Sequence, residues 1–169
     1  CLLIANGNIS SVAIGGIVGG VAARKVEMTS MPEMVGVFNA FGGGASALVA
    51  VAEFLNLPSV GLSTTGVSIL LGTVIGGVTF SGSFIAFAKL KGILTGNPTT
   101  FPGQSATNGL LLVGTLVLGA MILGVFGGQD PTTLFYAFCG ISLLLGILLV
   151  IPIGGADMPV AISLLNSYS

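Results

Sequence analysis

The chain has 169 residues, of which 53% are hydrophobic and only 5% charged, with a net charge of −1 and a mean hydropathy of +1.11. An ordinary soluble domain carries about 25% charged residues, so a water-exposed surface cannot be assembled from this composition, and with no basic patch to neutralise phosphates nucleic acid is excluded as a partner. What remains is an all-α fold, a polytopic transmembrane helix bundle whose partner is the lipid bilayer: the apolar runs approach the roughly 20 residues that a bilayer core requires, and they lack the alternation of barrel strands.

In chain order, Cys1 to Ala5 reads as the tail of an earlier helix and "NGN" at 6–8 as a turn. Glycine, proline, asparagine and charge clusters then predict helices over 9–25, 32–55, 67–89, 108–126 and 133–153, with a sixth beginning at Pro159. These are five spans plus the start of another. No basic segment precedes the first apolar run, so nothing predicts a secretory leader. The chain opens on Cys1 and its last residues, "LLNSYS", fall inside an apolar run, so a fragment is expected, 1–169 being one transmembrane domain.

All four basic residues (Arg24, Lys25, Lys89, Lys91) follow the first and third helices, in "ARKVEM" and "KLKG". Alternating topology puts both segments on one face, which the positive-inside rule makes cytoplasmic. The opposite loops, "NLPSVGLSTTG" and "GGQDPTT", contain no Lys or Arg.

Twenty-eight glycines concentrate in "GGIVGG", "GGG" and "GTVIGG". Small residues four apart let helix backbones approach in lipid. A dinucleotide fingerprint would need a preceding strand and a soluble βαβ unit, neither of which surrounds "GGIVGG".

Two helices begin alike: Met31-Pro32 leads to Asn39, and Met158-Pro159 leads to Asn166, each through six intervening residues. Proline suits the first helical turn because its missing N–H would be unpaired there, and the adjacent Glu33 or Asp157 suits the positive helix end. At 1.5 Å per residue each asparagine lies roughly 10 Å inside the membrane from its proline, and Ser83 lies about 9 Å from Lys89 on the third helix. A polar layer at one depth can hold water in an otherwise dry bundle and so serve a proton or ion route. The same residues can instead be interhelical glue, and Ser83 can bond its own helix backbone.

There is no histidine in the chain, and no acid or base falls at mid-depth, where proton relays usually place one. Glu53, near the opposite end of the second helix, is either a mouth residue or a solvated charge. Cys1 and Cys139 have no metal spacing, and Cys139 sits mid-run as a small hydrophobe. No nucleophile triad, metal cluster or carboxylate pair is present, which argues against catalysis within this segment.

The segments "ARKVEMTSMPEMVGVFNAFGG", "IGGVTFSGSFIAFAKLKG" and above all "IGGADMPVAISLLNSYS" resemble the membrane domain of the β subunit of proton-translocating NAD(P) transhydrogenase, over about 15–169. The resemblance implies the membrane part of an Si-specific oxidoreductase that couples proton translocation to hydride transfer from NADH to NADP⁺. It implies a multi-pass protein of the bacterial inner membrane, or second the mitochondrial one. Its partners would be the transhydrogenase α subunit and soluble NAD(H)- and NADP(H)-binding domains in a dimeric assembly, with no cofactor bound by this segment itself. The family's proton-pathway positions fall on Asn39, Ser83 and Asn166, and Asp157 resembles the position where the channel meets the NADP(H) domain, its alternative role being helix-end electrostatics. Position 39 departs from the commonest pattern, which has histidine there, and Ser68 stands where some relatives carry an acid. Asparagine cannot titrate near neutral pH, so a water held by Asn39 and Asn166 would relay the proton. The rival functions are a secondary transporter or channel with its solute site at the Asn39/Asn166 level, and a purely structural membrane subunit.

Overall fold

The computed structural model describes residues 9–27, 30–57, 61–125 and 130–168, and among these every regular element is helical. The chain runs through α1 (Ile9–Lys25), α2 (Met31–Asn56), α3 (Thr64–Leu90), α4 (Gln104–Ile122) and α5 (Pro131–Val150), then a 3₁₀ turn (Gly155–Asp157) into α6 (Met158–Tyr168). Four of these, α2 to α5, are long and apolar enough to cross a membrane. The 17-residue α1 contains a shorter apolar stretch, Val12–Val21. The segment expected to be the tail of an earlier helix, with its "NGN" turn, lies outside the described residues.

Helix ends follow local chemistry. Three helices depart from the expected boundaries for identifiable reasons, α3 beginning at Thr64 rather than 67 because Ser63 Oγ accepts from Gly66 N–H at 3.1 Å. α4 begins and ends four residues earlier than 108–126, because Gly103 (φ +88°) turns the chain into Gln104 and Gly124 (φ +82°) turns it out again. At that exit Val125 N–H donates to Ala120 O (3.1 Å) and Gly124 N–H to Met121 O (3.0 Å), the paired bonds of a Schellman end. α5 begins at Pro131 rather than Thr133 because the Asp130 carboxylate accepts from Thr132 N, Thr133 N and Thr133 Oγ1. It stops at Val150, short of 153: Ile151 keeps helical angles and still donates to Ile147 O at 3.0 Å, but Pro152 has no N–H to carry the ladder further.

α3 is the central helix, with over half of its apolar span buried against α2, α5 and α6. Glycine makes these contacts close. A methyl group on Gly76 would stand 2.6 Å from Ala47 N and 2.7 Å from Gly43 O, so α2 and α3 touch backbone to backbone at that crossing. On the other side of α3, the single Ser81 hydroxyl proton is shared between Leu143 O of α5 at 2.8 Å and Gly77 O of its own helix at 3.0 Å. Two apolar clusters flank these crossings. Phe54, Ile69, Leu70, Ile122, Phe135 and Phe138 fill the end away from the lysines, with Phe54 and Phe135 stacked at 3.7 Å. Ala86, Val150, Met158 and Ile162 fill the end near Lys89.

Candidate functional site

Asn39 lies on the buried side of α2, 7% exposed, and its Nδ2 donates to the Oγ of Ser83 on α3 at 2.9 Å. Ser83 is fully buried. Two of the three residues that depth arithmetic put at one level are therefore in direct contact. Thr73, Ser81, Thr115 and Ser142 each donate to the carbonyl four residues back in their own helix. Ser83 differs from them in accepting an amide from a neighbouring helix.

Asn166 lies on a third helix, α6. It is exposed there and faces Asn39 across an open cleft of about 320 Å³ bounded also by Val35, Phe38 and Gly42. A second cleft of about 350 Å³ adjoins the first through Val35 and Asn166, and is bounded by Met31, Pro32, Pro159 and Ser163. Together they trace a groove between α2 and α6 from the two proline starts down to the asparagines. Both helices keep this groove narrow at its floor. A methyl on Gly36 would stand 3.2 Å from Ile162 Cδ1, so α6 leans directly on α2 there. The polar atoms in the groove are carboxamides and a hydroxyl, which can donate and accept but do not exchange protons at neutral pH.

Asp157 is exposed in the 3₁₀ turn that precedes α6, well apart along the chain from the buried pair. Glu53 and Ser68 are exposed on α2 and α3 and take no part in the groove. Cys139 is half-buried on α5. Among the described residues no group of three His, Cys, Asp or Glu side chains could hold a metal ion.

One polar residue of consequence was read from the sequence only as an orientation marker. Lys89 is 5% exposed, and its Nζ donates to Ile153 O (2.9 Å), Asn97 O (3.4 Å) and Ile151 O. Lys91, two residues on, is exposed, pairs with Glu33 at 3.9 Å and lies over the Phe87 ring at 5.6 Å. Helical periodicity separates the two. Gly82, Ala86 and Lys89 are all buried, at spacings of four and three residues along one stripe, and Lys91 is off that stripe.

Residues 4–169 match the family described as NAD(P) transhydrogenase beta subunit. Two relatives, each called NAD(P) transhydrogenase subunit beta and coming from Rhodospirillum rubrum and from a designated strain of that species, are each 44% identical to the chain over 168 residues. The alignment takes in 95% of this chain and 35% of either relative, so the chain spans about a third of their length.

Proposed function

Because this chain belongs to the NAD(P) transhydrogenase beta-subunit family, we propose that residues 1–169 form the membrane domain of a proton-pumping transhydrogenase. In the whole protein, proton passage is coupled to hydride transfer from NADH to NADP⁺, with NADP(H) and NAD(H) held by soluble domains and an α subunit outside this segment. The setting is a bacterial inner membrane and a dimeric assembly. Water enters from the basic face along the groove between α2 and α6 and reaches Asn166 and Asn39, and through Asn39 the hydrogen-bonded network extends to the buried Ser83. There the carboxamides and the hydroxyl order a chain of hydrogen bonds through which a proton is relayed. Asp157, in the 3₁₀ turn that leads into α6, couples that passage to the NADP(H) domain.

The observation that carries this reading is the buried Asn39–Ser83 hydrogen bond at the inner end of the groove that Asn166 faces. Because asparagine does not titrate, gating belongs to the docking of the nucleotide domain rather than to protonation of position 39. The same bond favours one other reading, in which Asn39 and Ser83 only hold α2 to α3. Replacing Asn39 or Asn166 by Leu in the complete enzyme, reconstituted in vesicles, separates the two. Conduction requires that either change suppress proton pumping and coupled reverse hydride transfer. Full pumping in both variants removes these residues from the pathway.

A further inference from the structure

Lys89 is the last buried residue of the helix that carries Ser83, six residues and about 9 Å along the axis from it. All three of its N–H donors are spent on main-chain oxygens that belong to two separate connections, Asn97 from the α3–α4 connection and Ile151 and Ile153 from the α5–α6 connection. The α5–α6 connection continues through Gly154 and Gly155 to Asp157 and then into α6, which carries Asn166. The two connections are also bonded to each other, Gly155 N–H to Gly96 O at 2.7 Å and Thr99 N–H to Ile151 O at 3.4 Å.

We propose that Lys89 is a positioning residue that locks the Asp157 segment to α3, so that a displacement of that segment is felt at the Asn39–Ser83 bond. This rests on the proton-pathway reading above. A buried ammonium is well placed for the task. It sits where α5 ends, so the exposed carbonyls and the negative end of that helix dipole hold it, and it cannot leave its three oxygens one at a time without stranding charge in an apolar setting. The Asp157 segment therefore moves with α3 or breaks the whole cluster. Nearby Lys91 has no such grip, since its partners are a carboxylate and a ring at the surface.

The test compares Lys89→Met, Lys89→Gln and Lys89→Arg with Lys91→Met, Asn39→Leu and Asn166→Leu in the complete enzyme in sealed vesicles, measuring protons pumped per hydride transferred. Methionine keeps the length without donors, and glutamine keeps donors without charge. The expected result is that Lys89→Met lowers the ratio about fivefold, the scale on which substitutions along a coupling network act. Hydride transfer itself continues, Lys89→Arg restores most of the ratio, and Lys91→Met leaves it unchanged. A merely structural lysine would lower assembly and both activities in parallel at a constant ratio, and that result overturns the proposal. If Lys89→Met does not assemble, Lys89→Gln and Lys89→Arg decide on the same criterion. An unchanged ratio in the Lys89 variants alongside lost pumping in Asn39→Leu removes the lock and leaves the pathway standing. Retained pumping in Asn39→Leu and Asn166→Leu removes the pathway itself.

Discussion

A carboxamide within a lipid-spanning bundle has two N–H donors and an oxygen to satisfy, and water is its only alternative to protein partners. Asn39 resolves part of that demand on Ser83 and directs the remainder toward the groove that Asn166 faces. Ser83→Ala deletes the acceptor without adding bulk. Its stability cost should be small, about 0.6 kcal/mol as for an average interhelical bond in a membrane protein, whereas pumping should fall by a much larger factor if the pair orders a proton route. Thermal unfolding and vesicle acidification measured on one preparation distinguish these effects, and a loss of pumping no larger than the loss of folded protein would reduce the pair to glue. Asn39→His probes the same position from the other direction. Histidine titrates near pH 6.5, so the variant should acquire a pumping rate that changes between about pH 6 and 7.5. The native asparagine contributes no titration there. A pumping profile in the histidine variant identical to that of the native enzyme would mean that position 39 is out of reach of the moving proton.

Some helix ends written in side chains are legible in the sequence, but the Asp130–Pro131 start of α5 and the Ser63-capped start of α3 both come earlier than the sequence predicts. Pro32 with Glu33 marks the start of α2, observed from Met31, and the basic pairs mark the exits of α1 and α3. The four-residue displacement of α4 arose because its ends depend on backbone geometry at Gly103 and Gly124, and a glycine in a chain holding 28 of them is ambiguous until its φ is known. The same abundance concealed which glycines matter. Gly76 has backbone against it on α2, while Gly114 on α4 has nothing within 4 Å of the place a side chain would start. Gly76→Ala should therefore lower stability by about 1–3 kcal/mol, the usual cost of overpacking, and Gly114→Ala should leave it unchanged or slightly raise it because alanine favours helix. Unfolding of the two variants in detergent checks the difference, and equal behaviour would mean that α2 and α3 do not cross at Gly76. The cap of α5 predicts a pH effect of definite sign. The Thr133 hydroxyl, then the Thr133 N–H and least of all the Thr132 N–H, hold the Asp130 carboxyl below its usual range against the opposing effect of desolvation. Its stabilising contribution is complete above the unfolded value near pH 4 and is lost as pH falls through the depressed folded value. Asp130→Asn should flatten that acid limb of the unfolding curve, and a native slope persisting in the variant would assign it to another group.

At the scale of the whole molecule, depth and azimuth were not equally readable. The rise of a helix converts residue counts into depth, and that arithmetic put Asn39 and Ser83 at a shared level. Which way each side chain points depends on an apolar stripe, and these helices are apolar or small on nearly every face, so nothing in the spacing told that Ser83 would meet Asn39 directly while Asn166 would look across an open cleft. Lys89 was hidden for a related reason: lysine near a helix end normally snorkels to water, and here it turns inward onto carbonyls. The orientation of the bundle bears on every step of the proposed route, because under that proposal the groove opens toward the side on which nucleotide domains would dock. Arg24, Lys25, Lys89 and Lys91 lie at helix ends that alternation assigns to one face, and Met31 and Pro159 open the groove at that same end, with Asp157 in the turn just before α6. Ile93, 68% exposed just past α3, and Leu62, 76% exposed just before it, mark the two faces without taking part in the groove or the Lys89 cluster. A cysteine at position 93, Ile93→Cys, should react with a membrane-impermeant maleimide in inside-out vesicles and be protected in intact cells stripped of outer membrane, and Leu62→Cys should behave in the opposite way. The reverse pattern would put the asparagine groove on the far side of the membrane from the nucleotide domains, and a proton reaching Asn39 through it could not be gated by Asp157.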